Sequence, residues 1–290
     1  MNTLWQEIKI KMMHSGSRIG LLIGLNVIVY LAINIPSILL WLFTGHSIIT
    51  EYADDYLALP AYLPKLAIRF WTPFTYMLMH SGILHIFFNM LWLYWIGQIF
   101  EEYLGNKRTI GLYILGGLSG ALFFVLAYNF IPAFSQSGAL PGVTVVGASA
   151  SVMAIIIATA TLLPDYTISM MFIGPVKLKW IAIFYVILDF LLIAGPNGGG
   201  EIAHLGGALF GFIYVKQLKR GHDWIGGITG IFKSKSNLKV TSKNSDRNPN
   251  SKPRQEEIDR ILDKISQTGY DSLNKQEKEI LFRASKDNEV

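Results

Sequence analysis

The chain has 290 residues, 51% of them hydrophobic and only 16% charged, with a formal net charge of +5 and no cysteine. That balance lies outside the usual range of soluble domains and points to a chain that crosses a membrane several times. Without cysteine, disulfides, thiolate nucleophiles and cysteine metal sites are excluded.

Six apolar stretches near the spanning length of about 20 residues follow one another at 19–43, 82–100, 109–131, 146–163, 178–194 and 203–215. The first carries Asn26, Asn34 and Pro36 and has no small-residue cleavage site of the kind that ends a secretory signal, so it reads as a retained span. Lys9, Lys11 and Arg18 precede it, Lys107 and Arg108 follow the second stretch, Lys177 and Lys179 the fourth, and Lys216, Lys219 and Arg220 the sixth. Positive residues near span ends stay cytoplasmic, so both termini are expected inside. The opposite breaks at 132–145 and 195–200 carry no positive charge, and the first loop mixes Lys65 and Arg69 with Glu51, Asp54 and Asp55.

Four segments result: a cytoplasmic start (1–18), a six-span unit (19–217), a basic linker (218–253) and a C-terminal piece (254–290). The linker is rich in Gly, Ser, Asn and Lys, with an apolar patch at Trp224, Ile225, Ile228, Ile231 and Phe232 suited to a membrane surface or to a flexible tether. In the last piece Ile258, Ile261, Leu262 and Ile265 share a helix face and Gly269 stops the helix. Asn274 and Glu277 then have the spacing of a capping box that opens a second helix, giving a small cytoplasmic hairpin.

Ser149, in Gly147-Ala148-Ser149-Ala150, and His204, in Ala203-His204-Leu205-Gly206-Gly207, are polar groups inside apolar runs. An intramembrane polar or ionisable residue is a functional hypothesis by default. With both termini inside, the second, fourth and sixth spans all enter from the outer face, so His85, Asn89, Ser149 and His204 share one depth. Each has a plainer explanation alone, as a back-bonded serine, an interhelical histidine or a self-satisfying pair. Their convergence outweighs those explanations.

Small residues sharpen the case. Gly147 and Ala148 permit a tight turn with free N–H groups, while Gly206, Gly207 and Gly211 face a matching row at Ala150, Ala154 and Ala158. Close packing of these two helices is expected to bring the Ser149 hydroxyl within hydrogen-bond reach of the His204 imidazole. Asp189 and Glu201 also lie near the histidine and are read as structural or water-facing. No histidine–carboxylate cluster shows metal-ligand spacing along the chain, so no metal is expected.

At these residues the chain resembles the rhomboid family of intramembrane serine proteases. The resemblance runs from Phe70 to Phe212 through Phe70-Trp71-Thr72-Pro73-Phe74-Thr75-Tyr76, His80 with His85 and Asn89, Glu102-Tyr103-Leu104-Gly105, and the motifs around Ser149 and His204. It implies an all-α membrane protein with a six-helix bundle, Ser149 as nucleophile, His204 as base and acid, and an oxyanion site from His85, Asn89 and the Ser149 N–H. Three positions depart from the family: Ala150 stands for glycine, Met153 for an aromatic, and Thr72 for the arginine of a Trp-Arg pair.

The expected activity is cleavage of single-pass transmembrane substrates from within the lipid bilayer, in a bacterial inner membrane, without cofactor or nucleic acid. Substrate is expected to enter between the second and fifth spans, with the glycine-rich 195–200 loop as a mobile cover. For the C-terminal hairpin, which holds no catalytic constellation, a docking or regulatory role is the hypothesis, with a partner that the sequence does not name. A non-cutting relative of the same fold and a transporter are the alternatives. The first usually lacks the serine or histidine, and the second predicts internal repeats that this chain lacks.

Overall fold

Backbone groups that cannot reach water must be paired within their own segment, so apolar stretches of this length fold as helices. The computed structural model describes residues 17–135, 140–170, 173–226 and 255–286. Its helices are α1 (Ile19–Thr44), α2 (Ile48–Leu57), α3 (Leu63–Ile68), α4 (Thr72–Thr75), α5 (Ile83–Leu104), α6 (Asn106–Phe130), α7 (Pro132–Ser135), α8 (Ser149–Leu162), α9 (Leu178–Leu192) and α10 (Gly198–Lys219). Among the described residues α1, α5 and α6 are long and apolar enough to cross a membrane.

These helices occupy different places. Only 6% of the most apolar window of α1 is buried, against 44% in α5 and 50% in α6, which puts α1 at the edge. The centre belongs to α8, in which every residue from Ala150 to Ala160 is buried. Its rows of alanine meet glycines on both sides. A β-carbon at Gly207 or Gly211 of α10 would overlap the backbone carbonyl of Ala150 or Ala154, and one at Gly116 of α6 would overlap the Ala154 methyl. The small-residue pairing expected from the sequence is therefore present at Gly207 and Gly211, whereas Gly206 faces Phe123 and the Ser119 carbonyl of α6, and three backbones approach closely.

Two short antiparallel ladders tie the loops. β1 (Leu59–Pro60) pairs with β2 (Thr144–Val145) in the register Leu59 to Val145, which fastens the first loop to the segment just before Ser149. β3 (Thr167–Met170) pairs with β4 (Gly174–Lys177) between α8 and α9.

The last long helix begins earlier than expected. Gly198, Gly199 and Gly200 form its first turn and are buried, so they are not a mobile cover. A β-carbon at Gly199 would sit 2.8 Å from the Phe124 ring and 3.1 Å from the Tyr128 hydroxyl, which is why glycine is used in a helix despite its poor propensity. The linker departs from expectation as well. Residues 224–226 are helical, Ile225 is buried in the space beside Gly111, and Asp223 accepts from Arg108 Nε at 2.9 Å, the Tyr214 hydroxyl at 3.1 Å and the Gly226 N–H at 2.9 Å. Burial opposes ionisation of Asp223, but the Gly226 N–H, Arg108 and Tyr214 outweigh it and hold its pKa below the ordinary carboxylate value. Ile228, Ile231 and Phe232 of the apolar patch lie outside the described residues.

The C-terminal unit is a helical hairpin of α11 (Gln255–Thr268) and α12 (Lys275–Lys286). Gly269 stops α11 at a φ of +82°, and the capping box forms in both directions: the Glu277 N–H donates to Asn274 Oδ1 at 2.8 Å and the Asn274 N–H to Glu277 Oε2 at 2.9 Å. Lys264 Nζ reaches Glu277 across the hairpin at 2.9 Å, and Ile261 and Leu273 supply its buried apolar contact.

Candidate active site

Ser149 is the first residue of α8, and Gly147 makes the turn that puts it there. Gly147 has a φ of +137°, a conformation side chains rarely adopt, and its N–H donates to the Tyr76 carbonyl at 2.9 Å. A β-carbon at this glycine would lie 2.9 Å from His85 Nε2 and 3.2 Å from the Ser149 hydroxyl oxygen. The bare α-carbon thus leaves a gap between the hydroxyl and the imidazole. Tyr76 also donates its hydroxyl to the Gly117 carbonyl at 2.6 Å, so one residue ties the turn to α6.

His85 and Asn89 come from the first two turns of α5. They do not satisfy one another through their side chains. Asn89 Nδ2 donates to the His85 backbone carbonyl at 2.8 Å, which leaves the amide a second hydrogen. The Ser81 N–H approaches His85 Nδ1 at 3.4 Å and the Ser81 hydroxyl lies 3.1 Å away. A backbone N–H can only donate, so Nδ1 accepts and the proton of the neutral ring sits on Nε2, on the Gly147 side. His80 packs edge-on against His85 with centroids 5.0 Å apart, and it is buried.

His204 lies six residues into α10 rather than in its first turn, about 9 Å along the axis. Its Nδ1 meets Asp189 Oδ1 at 3.1 Å and Glu201 Oε2 at 3.4 Å. Both carboxylates are buried against the imidazole, which corrects the expectation that they face water. Among the described residues no hydrogen bond joins the Ser149 hydroxyl to His204, so the expected direct contact is open here. Ser149, His204, His85, Asn89, Asp189 and Glu201 nonetheless line one cavity of about 870 Å³, together with Met153, Trp92 and Tyr185.

The absence of ligand spacing along the sequence does not carry over into space. One ligand atom from each of Asp189, Glu201 and His204 falls within 4.8 Å of the others, so this trio is the group by geometry able to hold a cation among the described residues. Linear spacing missed it because Asp189 belongs to α9 and the other two to α10.

The three departures each have a local counterpart. The methyl of Ala150 fills the space that a side chain at Gly120 would need, 2.5 Å from the position of a β-carbon there. Met153 is buried and lines the cavity wall shared with His204. Thr72 is buried and donates to the Arg69 carbonyl at 2.8 Å, while the guanidinium of the first loop comes from Arg69 itself. Arg69 Nη2 pairs with the Asp55 carboxylate at 2.6 Å and lies over the Tyr56 ring at 4.4 Å, and Lys65 reaches the same carboxylate at 2.7 Å. Hydrogen bonds from Arg69 and then Lys65 hold the Asp55 carboxyl well below the usual carboxylate range.

A helical bundle around a half-buried serine and histidine, with spans long enough for a bilayer, defines a multi-pass integral membrane protein. Residues 67–220 match the Rhomboid domain, more than half of the chain, and the protein belongs to the rhomboid family. It is similar to the RHOMBOID-like protein 12, mitochondrial, of Arabidopsis thaliana, at 31% identity over 163 residues, which take in 53% of this chain and 48% of the relative. The chain thus spans about half the length of the curated relative it matches. Residues 244–287 match a family of unknown function (DUF6576).

Proposed function

We propose that the chain is an intramembrane serine endopeptidase that cuts peptide bonds in or beside transmembrane segments of single-pass membrane proteins. The observation that carries this reading is the meeting of Ser149, His204, His85 and Asn89, from three separated helices, in one cavity. The hydroxyl of Ser149 attacks the scissile carbonyl carbon while His204 takes its proton. The carbonyl oxygen becomes an oxyanion held by His85 Nε2–H, Asn89 Nδ2–H and the Ser149 N–H. His204 then passes the proton to the leaving amine, and a water repeats the sequence on the acyl-enzyme.

Six spans accommodate this chemistry, with α8, α9 and α10 completing the set begun by α1, α5 and α6. The Lys and Arg distribution favours both termini on the cytoplasmic side. Substrate enters between α5 and α9, where Trp92 meets Tyr185 edge to face at a centroid distance of 5.4 Å and forms a closable wall.

The test is cleavage of a model single-pass substrate by the detergent-solubilised protein beside Ser149→Ala and His204→Ala. Cleavage by the wild type alone supports the reading; equal turnover in all three sinks it. A second reading, a family member that binds clients without cutting, is favoured by the open Ser149–His204 contact. Catalytic hydrogen bonds often tighten only once substrate binds, and labelling of Ser149 by a fluorophosphonate separates the two.

A further inference from the structure

We propose that Asp189 and Glu201 clamp the His204 imidazole in the tautomer its role demands, so that this chain works with a carboxylate-oriented histidine rather than a bare serine–histidine dyad. The proposal rests on the peptidase reading of the same cavity and adds to it two positioning residues.

Asp189 is an anomaly of α9. The outward face of that helix is apolar and open, with Phe184, Ile187, Phe190 and Leu191 each more than half exposed, and Asp189 is its one acidic residue. A carboxylate in an apolar helix is costly wherever it lacks a partner, and such residues turn toward a bundle interior. Here it is 4% exposed and faces inward, with one oxygen on His204 Nδ1 and Glu201 beside it. Its inward contacts are the histidine and the neighbouring Glu201 carboxyl, which interacts with both.

An ionised carboxylate only accepts, so in the proposed clamp Nδ1 carries the proton. In a neutral ring that leaves the lone pair on Nε2, the nitrogen free to receive the proton of Ser149. Glu201 approaches the same nitrogen at 3.4 Å from one turn earlier on α10 and is itself anchored by Asn197 Nδ2 at 3.1 Å. Two helices therefore fix one nitrogen. When His204 takes the serine proton, the resulting imidazolium meets negative charge already in place. The charged or titratable groups and the hydroxyl lining its cavity are His85 from α5, Tyr128 from α6, Ser149 from α8, Tyr185 and Asp189 from α9 and Glu201 from α10.

The experiment uses the full-length protein and the isosteric Asp189→Asn. An amide can turn its NH₂ toward Nδ1 and drive the proton to Nε2, and in a soluble serine protease the corresponding change lowers kcat about 10⁴-fold with geometry intact. We expect kcat to fall at least about 100-fold here, because Glu201 remains as a second acceptor, with KM within about twofold. Glu201→Gln loses less, and the double variant loses more than either single change, with non-additive effects expected of groups sharing one partner. A readout independent of activity is the ¹⁵N spectrum of the histidines, assigned to His204 by difference from His204→Ala: proton on Nδ1 in the wild type, moved to Nε2 in Asp189→Asn.

A proton on Nε2 in the wild type, or an Asp189→Asn enzyme with wild-type kcat, overturns the clamp. So does an activity loss that tracks the loss of folded protein while the tautomer stays unchanged. A wild type that neither cleaves nor reacts at Ser149 overturns the peptidase reading instead, and the tautomer measurement still judges the clamp.

Discussion

Gly207 is where the packing of the bundle and the chemistry of the site are most tightly joined, and Gly207→Ala tests both. A β-carbon there would lie 2.8 Å from the Ala150 carbonyl carbon and 3.2 Å from its α-carbon, besides overlapping its carbonyl oxygen. Carbon atoms rest at about 3.5–4.0 Å, so α10 must retreat from α8 by roughly 1 Å to accept one methyl group. Overpacking of this kind costs about 1–3 kcal/mol. The chemical cost is of the same size, about 2.7 kcal/mol in the barrier, because His204 lies three residues before Gly207 and moves with it away from Ser149, and a 1 Å misplacement can lower turnover about 100-fold. The measurement is kcat on a model transmembrane substrate together with the rate of Ser149 labelling, beside Leu209→Ala on the outward face of the same helix as the control. Wild-type turnover and an unchanged melting temperature in Gly207→Ala would mean that α8 and α10 are not in backbone contact, and the account of how the dyad is held would fail.

Three further outcomes follow from single contacts. Gly147→Ala strains a φ of +137° and presses a methyl against the His85 ring, so it should cost about 1–3 kcal/mol and abolish Ser149 labelling; labelling at the wild-type rate refutes the role given to this turn. Ile225→Ala removes a fully buried side chain that plugs the space beside Gly111, and should destabilise the helical unit by about 2 kcal/mol or more, read as a lower thermal midpoint, whereas Trp224→Ala on the exposed side should be nearly silent. In the C-terminal hairpin the Asn274 N–H and then Lys264 hold the Glu277 carboxyl below its ordinary value of 4.5. A depressed carboxylate stabilises the fold above that value and loses its contribution as pH falls below it. Hydrogen-exchange protection of residues 255–286, corrected for intrinsic rates, should therefore drop from about pH 4.5 downward, and Glu277→Gln should flatten the dependence; a wild-type profile as flat as the variant's contradicts the capping argument.

What the sequence made legible was the polar residue in an apolar run. Ser149, His204, His85 and Asn89 stood out for that reason, and charge placement at the span ends gave them a common depth before any contact was known. The alanine and glycine rows of α8 and α10 were legible too, since small residues four apart have few other uses in such helices. The start of α10 was not, because three consecutive glycines read as a loop on propensity alone. What overrides propensity is the approach of Phe124 and Tyr128, more than seventy residues away in the chain.

Asp189 was hidden for a different reason, and its case shows how far local pattern can reach. Leu178, Ile181, Ala182 and Asp189 are the buried residues of α9, spaced as one helical face. The register alone thus placed Asp189 on the side that carries Ile181 and Ala182, not on the face of Phe184 and Phe190. What the register could not give was the partner, since a face has a direction but no occupant. Glu201 was misread in the complementary way: taking residues 195–200 as an exposed loop left it at a wet helix entrance, whereas extending the helix back to Gly198 sets it in the bundle one turn from His204. The Glu201 error therefore traces to a single choice about three glycines. Once those glycines are packing residues, the two carboxylates and the imidazole they face have one location between them.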